Sequence, residues 1–474
     1  MIREPSPSRA SGGPRLVPVI LLLGARCAGP EPAPEESPPP EDSVQAAAPV
    51  AEVTVEVDAS VQTVLRVGWH QERAVESGVL VYGVAGEPTM RTPARGLAEG
   101  DQEQVLLGLP PETEVVFHFE QEDGGHALES EDHTATTGVL PADLPLPALL
   151  HADPELVALE APFLLGSVDA GGWYRGPCWV VILDRAARVV WYHEVPGQRL
   201  CLFAQVATDG HHLVLEGTTH YLYGTELEPI VERLTLAGGV QETVTLPDLG
   251  FTFDEIEGGA ILYAAEREGF RLIRREPDGS EAELWDCGTW MLAQGGSLGW
   301  CSPNSVVWNP AQGTAFWSMF QADTVVEIEL ATGALVRQLG QLSGGWAFDP
   351  PESVVDFQHY PGFTAAGTIL TSTHCLADPG VQYAREWRVD EENQTLVEVW
   401  SYGPEVLPYA AYGGEAWRMA GGSTFITYGT AGRVRQITPD GRTAWEITWP
   451  TEPNSLLVGH FSALHDLYAI AGAP

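Results

Sequence analysis

A repeat of about 50 residues constrains what the larger part of this chain can fold into. Each copy has a glycine-containing turn, an apolar strand, a second strand, a D-G-like turn and a strand carrying tryptophan. The clearest copies begin at Gly210, Gly259, Gly313, Gly367 and Gly422. A sixth unit at residues 178–195 lacks one strand, which the carboxy-terminal segment can supply to close a ring. Because one sheet cannot bury both faces until neighbours stack on it, the sequence predicts an all-β, six-bladed β-propeller over residues 148–474.

Residues 51–145 have a different pattern, in which short runs of alternating apolar and polar residues are separated by turn clusters. Such alternation predicts a small antiparallel β-sandwich in front of the propeller. The stretch Gly108-Leu109-Pro110-Pro111-Glu112-Thr113 resembles the E–F region of fibronectin type III domains. We expect this domain to be a spacer or a brace for the propeller, with a binding module as the alternative.

The amino terminus predicts export. Residues 1–27 combine arginines with the apolar run LVPVILLLGA, which has the length of a signal-peptide core and is too short to span a bilayer. Cys27 follows this core, so the segment resembles a lipoprotein signal that would leave a lipid anchor there; an ordinary cleaved signal is the alternative. Residues 28–50 are rich in proline and acid and predict an extended linker. We therefore expect a location in the periplasm or cell envelope.

Cysteine spacing agrees with an oxidising compartment. Cys178 and Cys201 are close enough in sequence to link neighbouring strands, and so are Cys287 and Cys301. Cys375 is left over, and a lone cysteine of this kind is most often simply buried. Because the cysteines and histidines form no metal-ligand pattern, we expect no metal site.

Charge and lysine content exclude several functions. The formal net charge is -41, which repels phosphate backbones and argues against nucleic-acid binding. The chain has no lysine, so all 24 basic residues are arginine. Schiff-base chemistry, pyridoxal phosphate attachment and the lysine of a Walker A loop are therefore excluded. No cofactor is predicted; a quinone-dependent dehydrogenase is a weaker alternative, since no regular tryptophan docking motif or calcium constellation is present.

Polar residues recur just upstream of each repeat glycine, where the innermost strand of a propeller blade lines the axial channel. We expect these residues to meet at one mouth of the channel and to bind substrate there. The candidates are Gln205, Asp254, Asn304, Gln358, His359 and Glu415. The alternative is that each of them caps a turn.

His359 is the candidate catalytic residue of this set, because a neutral imidazole is a competent nucleophile or base near neutral pH. His374, at the end of the following strand, and Arg385 are the nearby candidates for stabilising negative charge. For any one of these residues the alternative is a structural role.

The chain also resembles the bacterial arylsulfate sulfotransferases, six-bladed propellers that work outside the cytoplasm, over roughly residues 60–470. The most specific matches are Pro303-Asn304-Ser305-Val306, Phe357-Gln358-His359 with Gly367-Thr368-Ile369-Leu370, Ala384-Arg385-Glu386-Trp387-Arg388-Val389-Asp390, and the last blade from Gly413 to Trp445. The resemblance implies transfer of a sulfuryl group from a phenolic sulfate donor to a phenol acceptor, without a nucleotide. It also implies that the histidine of the Gln-His motif, His359 here, becomes transiently sulfated.

Three positions depart from the family pattern. A family His-His-Asp is Thr252-Phe253-Asp254 here, a His-x-Asn is Ser302-Pro303-Asn304, and a Ser-x-Arg is Ser318-Met319-Phe320. Sulfuryl transfer depends on preorganised positive groups around the sulfuryl oxygens, so their loss weakens the case for catalysis. Two hypotheses follow: an exported sulfuryl transferase acting through His359, and a non-catalytic, envelope-anchored propeller that binds a ligand or protein partner in its channel.

Overall fold

A computed structural model of the chain describes residues 46–157, 161–172, 176–220, 222, 226–267, 269–374, 381–403, 410–449 and 455–472. The predicted signal segment, most of the linker and Cys375 lie outside these ranges. The architecture is nearly all β, with one short α-helix in the described ranges. None of the helical segments described could cross a membrane, given their length and apolar content.

The amino-terminal strands form two sheets. They are β1 (Ala46–Ala47), β2 (Val50–Val57), β3 (Leu65–Gln71), β4 (Val75–Val84), β5 (Met90–Arg91), β6 (Arg95–Leu97), β7 (Gly100–Leu106), β8 (Glu114–Asp123), β9 (His126–Glu129) and β10 (His133–Thr136). One sheet has the order β2-β3-β7; the other has the order β1-β9-β8-β4-β5, with β6 paired to β4 and β10 to β8. The alternation predicted from the sequence is confirmed in β3, where every second residue is buried. The fibronectin type III-like assignment and the domain boundary stay predictions.

The remaining strands follow in chain order. They are β11 (Ala148–Ala152), β12 (Phe163–Asp169), β13 (Cys178–Asp184), β14 (Val189–Val195), β15 (Ala204–Val206), β16 (Leu213–Gly217), β17 (Ile230–Thr235), β18 (Gly239–Thr245), β19 (Leu249–Ile256), β20 (Ala260–Ala265), β21 (Arg271–Arg275), β22 (Glu281–Asp286), β23 (Ser305–Asn309), β24 (Thr314–Met319), β25 (Thr324–Glu329), β26 (Leu335–Gly340), β27 (Ala347–Asp349), β28 (His359–Phe363), β29 (Ile369–His374), β30 (Gln382–Asp390), β31 (Thr395–Tyr402), β32 (Glu415–Arg418), β33 (Thr424–Tyr428), β34 (Arg433–Ile437), β35 (Thr443–Thr448) and β36 (Leu457–Leu464). The helix α1 spans Cys287–Ala293, and 3₁₀ turns span Glu257–Gly259, Leu298–Cys301, Phe320–Ala322, Gly429–Ala431 and Tyr468–Ile470.

These strands form six sheets in the described part of the chain, with the orders β36-β12-β13-β14, β15-β16-β17-β18, β19-β20-β21-β22, β23-β24-β25-β26, β28-β29-β30-β31-β27 and β32-β33-β34-β35-β11. Consecutive sheets contact one another, and β33 of the last sheet contacts β36 of the first. This closed ring is a β-propeller. The prediction that a carboxy-terminal strand completes the first sheet is confirmed, since β36 pairs antiparallel with β12.

Large apolar side chains fill the space between neighbouring sheets. Trp191, Trp285 and Trp445, on the tryptophan-carrying strands of three repeats, are buried, which agrees with a packing role for them. The guanidinium of Arg185 lies over the Trp445 ring at 4.6 Å, and the Trp445 indole donates to the Arg185 carbonyl. Sheets packed in this way hold the edge strands β15, β19, β23, β28, β32 and β36 towards a common axis.

Direct hydrogen bonds join the amino-terminal sheets to the first blade. The Thr63 hydroxyl donates to the Val190 carbonyl at 2.8 Å, and the Tyr192 hydroxyl accepts from the Gln62 amide at 3.0 Å. On the same side, the Tyr82 hydroxyl lies 2.8 Å from that of Tyr468. These bonds connect the two parts of the chain, and the bracing role expected from the sequence stays a prediction.

The predicted disulfides are confirmed. Cys178 is bonded to Cys201 and Cys287 to Cys301. The second bond ties the start of α1 to the 3₁₀ turn at Leu298–Cys301. The Asp286 side chain accepts from the Thr289 amide at 3.0 Å and so caps the helix that carries Cys287.

Candidate functional site

A cavity of about 590 Å³ opens at the axis of the propeller. Its walls come from residues in or beside β15, β19, β23, β28, β32 and β36, so all six sheets contribute. Six aromatic side chains make up much of the lining: Phe203, Phe251, Phe320, Phe357, Tyr360 and Tyr412. A concave, mostly apolar cavity with a few convergent polar groups has the usual form of a small-molecule site.

One polar residue per blade lies in or directly before the innermost strand. The set is Gln205 in β15, Asp254 in β19, Asn304 before β23, His359 in β28, Glu415 in β32 and His460 in β36. Five of these residues were predicted, and the structure brings Asn304, His359 and Glu415 to the cavity lining. His460 was missed because its strand belongs to the first blade but comes last in the chain. Applying the repeat offset to the strand expected to close the ring would have found it.

Glu415 and His460 form a buried ion pair. The carboxylate of Glu415 lies 2.6 Å from Nδ1 of His460, and both side chains are buried. Burial by itself lowers the pKa of His460, but the charges of Glu415 and Asp254 outweigh it and raise this pKa above its ordinary value. His460 is therefore the positive group of the pair.

Asp254 is held by two donors. Its carboxylate accepts from Nε2 of Gln205 at 3.0 Å and from the amide of Trp308 at 2.8 Å. Burial raises the pKa of Asp254 to about 6, although both hydrogen bonds and the charge of His460 act in the opposite direction. Gln205 is thus occupied in positioning Asp254, and neither side chain lines the cavity in the described structure.

His359 lines the cavity with a partly exposed ring. Its Nδ1 lies 3.1 Å from the Phe357 carbonyl. Because a carbonyl can only accept, Nδ1 carries the proton and Nε2 keeps its lone pair. Burial, and next the neighbouring His374, lower the pKa of His359 well below its ordinary value, so its imidazole is neutral at pH 7.

His374 lies beside His359, with the two ring centroids 4.9 Å apart. It is buried, and burial lowers its pKa to about 4. Within the described residues, Nε2 of His374 has no hydrogen-bond partner. A neutral ring cannot stabilise a negative charge as a cation would, so the expected charge-stabilising role of His374 is not supported by this environment.

The backbone that carries His359 is strained on both sides. Phe357 and Tyr360 each have a φ of 48°, in the left-handed region that favours glycine. The pairing of β28 with β29 also shifts register between His359 and Gly362. Such conformations persist where the surrounding structure imposes them, and they concentrate at functional sites. Here they turn both flanking aromatic rings into the cavity lining.

Asn304 and Gln358 have different roles from each other. Nδ2 of Asn304 donates to the Gln358 carbonyl at 2.6 Å, while its buried Oδ1 lacks a partner among the described residues. The Gln358 side chain is fully buried and donates to the Ser318 hydroxyl and the Thr324 carbonyl. The structure therefore corrects the expectation for Gln358: its side chain positions β28 and does not reach the cavity.

Arg385 is also placed away from the cavity. Its guanidinium bonds to Glu398 at 2.8 Å and lies over the Tyr383 ring at 4.6 Å. Its charge is therefore balanced within its own sheet. The expected role of Arg385 as a charge stabiliser at the site does not agree with this position.

No family model matches the chain, and no curated protein matches it. Solved structures align with the chain at low identity and with TM-scores below 0.5. A protein of unknown function from Bacteroides caccae aligns with a TM-score of 0.42 and 16% identity, covering 60% of this chain and 93% of that one. A streptogramin B lyase aligns with a TM-score of 0.39 and 13% identity, covering 65% of this chain and 96% of that one. A catalytically inactive virginiamycin B lyase from Staphylococcus aureus, with quinupristin, aligns with a TM-score of 0.37 and 11% identity. The alignment covers 61% of this chain and 86% of that one.

The ring of sheets and its axial cavity define the class: a β-propeller protein with a candidate ligand site at its centre. The resemblance to arylsulfate sulfotransferases stays a prediction, and function is argued below from the cavity itself.

Proposed function

We propose that this propeller binds a small aromatic molecule in its axial cavity. The observation that carries the proposal is the placement of a neutral imidazole, His359, among six aromatic side chains in a cavity of about 590 Å³. That volume is in the range of pockets that enclose small ligands, about 300–1,000 Å³. Offset and edge-to-face stacking would hold an aromatic ring there.

The polar groups of the lining favour a ligand that donates hydrogen bonds. Nε2 of His359 carries a lone pair, and Glu415 presents a carboxylate. Both are acceptors. A phenol or an aryl amine can donate to them, whereas an apolar ring alone would cover them without donating a hydrogen bond, which is costly in a buried site.

Binding of 2-naphthol, measured by calorimetry, tests the proposal. Phe320→Ala removes one partly buried ring of the lining, and we expect it to weaken binding about tenfold, a typical effect of losing one aromatic contact. Trp300→Ala is the matched control, because Trp300 is an exposed aromatic outside the cavity. Absence of binding to the wild type, or an equal effect of both variants, would overturn the proposal.

Sulfuryl transfer is the second candidate, supported by His359 and Asn304, two residues of the matched motifs, lining one cavity. In the first step Nε2 of His359 would attack sulfur; the S–N bond forms, the aryl S–O bond breaks, and the phenolate leaves. In the second step a phenol oxygen attacks sulfur and the S–N bond breaks. The proton of the acceptor phenol goes to the released phenolate through solvent, and His359 returns to its neutral form.

The charges at the cavity support sulfuryl transfer less well than binding of an aromatic molecule. Phe320 lines the cavity where the family has arginine, and no arginine lines it in the described ranges. Loss of one stabilising donor costs about 3–4 kcal/mol in related sites. The test is release of 4-nitrophenol from 4-nitrophenyl sulfate, dependent on added phenol. Transfer lost in His359→Ala would support the reaction; transfer retained in that variant would overturn the assignment.

An exported, envelope-associated location is part of the proposal. Its support is the pair of disulfides, which form and persist in oxidising compartments. The anchor at Cys27 remains a proposal from the sequence, since Cys27 lies outside the described residues. A shift of the protein to the membrane fraction that is lost in Cys27→Ser would test it.

A further inference from the structure

We propose that the ligand of the axial cavity is an aromatic cation, an aryl ammonium compound, held by the aromatic rings of the lining and by Glu415. This inference rests on the proposed ligand-binding function and narrows its chemical class. A neutral phenol and an anionic sulfate ester are the alternatives that the experiment separates.

The aromatic rings form two groups around the cavity. In one, the ring of Phe357 lies edge-on to Phe320 at 5.1 Å and tilted to Tyr412 at 6.5 Å. In the other, Tyr360 stacks on Phe203 at 5.6 Å. Rings arranged on different walls can present several faces to one guest, and the negative face of each ring attracts a cation within about 6 Å of its centroid. This geometry suits an aromatic ligand that carries an ammonium group.

The charges beside the cavity are predominantly negative, as binding of a cation requires. Glu415 lines the cavity, and both Glu415 and Asp254 act electrostatically on Tyr360 in its wall. His460 supplies one positive charge, which is paired with Glu415. Two carboxylates against one imidazolium leave the cluster with a net negative charge once Asp254 is ionised. An anion would be repelled from this wall, whereas a cation would be attracted.

Lysine and arginine side chains do not oppose the negative charge at this wall. The chain has no lysine, and in the part of the chain that the structure describes no arginine lines the cavity. Arg385, the arginine predicted for the site, is paired with Glu398 instead. The formal net charge of -41 adds a long-range attraction, which raises the local concentration of cations and falls with ionic strength.

Three probes of nearly equal shape test the inference: phenyltrimethylammonium, its neutral isostere tert-butylbenzene, and benzenesulfonate. Affinities are measured by ligand-observed NMR at low and physiological salt. We expect phenyltrimethylammonium to bind about tenfold more tightly than tert-butylbenzene, and benzenesulfonate to bind most weakly. Equal affinity for the first two probes, or preference for benzenesulfonate, would overturn the cation assignment while leaving the proposed binding function intact. Failure of all three probes and of 2-naphthol would overturn both.

Two variants of cavity residues test which side chains produce the preference for a cation over its neutral isostere. Glu415→Gln removes the charge at the cavity, and we expect it to reduce the ratio of cation to neutral affinity severalfold; Glu398→Gln, away from the cavity, leaves the ratio unchanged. Because Glu415 is buried, Tyr412→Leu serves as the second variant, since Tyr412 is 48% exposed and its loss spares the core. It should lower affinity for the cation more than for the neutral isostere. Unchanged ratios in both cavity variants would overturn the assignment.

Discussion

The imidazole rings of His359 and His374 lie 4.9 Å apart, with their planes inclined by 55°. The two histidines differ in access, because His359 lines the cavity while His374 is buried behind it. Burial, and next the charge of His374, makes protonation of His359 less favourable, and burial does the same for His374. The pair therefore keeps a neutral, nucleophilic nitrogen at the cavity under conditions in which an isolated histidine would be partly charged.

The pH dependence of stability should report the burial of His374. Its pKa is lowered to about 4 in the folded chain, against about 6.5 when unfolded, so between these values the unfolded chain binds more protons. The free energy of unfolding must then fall as the pH falls through this window, by up to about 3 kcal/mol from this residue. In His374→Leu we expect the loss between pH 6.5 and 4 to shrink by about that amount. Urea titrations at several pH values check this, and curves of equal slope for both proteins would contradict it.

The Glu415–His460 pair should change the free energy of unfolding with pH in the opposite direction. Because the pKa of His460 is raised on folding, its stabilising contribution is fully present below the unfolded pKa and is lost as the pH rises through the folded one. Replacing Glu415 by Gln removes the main group that raises this pKa. An NMR titration of the His460 ring should show a lower midpoint in Glu415→Gln than in the wild type. A midpoint that stays the same would mean that the pair does not form.

Removing the Cys287–Cys301 bond should destabilise the protein. Both sulfurs are buried, and the bond closes a short loop with a sequence separation of 14. A loop of that size restricts the unfolded chain by about 3 kcal/mol. The double variant Cys287→Ala, Cys301→Ala should therefore lose about that much stability in denaturant titrations under oxidising conditions. Under reducing conditions the stability of the wild type should approach that of the variant. A wild-type stability that does not change on reduction would contradict the prediction.

Contact between the sandwich and the propeller should be measurable at Tyr468. Its hydroxyl lies 2.8 Å from that of Tyr82 and donates to the Val105 carbonyl at 3.0 Å, both across the junction. Tyr468→Phe removes these bonds and keeps the ring, so we expect a loss of about 1 kcal/mol. Thermal unfolding followed by calorimetry checks the size of the loss. A melt unchanged from the wild type would show that these bonds do not stabilise the junction.

Local pattern was enough to predict most of the architecture. The glycine-led repeat predicted stacked sheets, because its period and apolar strands are independent of distant contacts. The pairing of Cys178 with Cys201 was predictable for a similar reason: the residues flank adjacent strands. The supply of one strand of the first blade by β36 was also predictable, since a ring with an unpaired edge at β12 would be incomplete.

The site was predicted less well because side-chain direction depends on tertiary contacts. Gln358 and His359 are adjacent, yet β28 turns only His359 to the cavity, while Gln358 bonds to Ser318 in the neighbouring sheet. Arg385 follows the same motif in sequence but pairs with Glu398 across its own sheet. The aromatic lining was missed as well, since rings such as Phe203 and Tyr412 cannot be distinguished from packing residues by spacing alone.

Closure by β36 also has a consequence for synthesis on the ribosome. The last strand brings His460, so the ion pair with Glu415 cannot form in a nascent chain that ends before it. Until then β12 presents an open edge that can pair with other chains. A ribosome that stops shortly before residue 457 would release a protein that has most of its sheets but neither a closed ring nor a finished cavity. Assembly of the site is thereby tied to completion of translation.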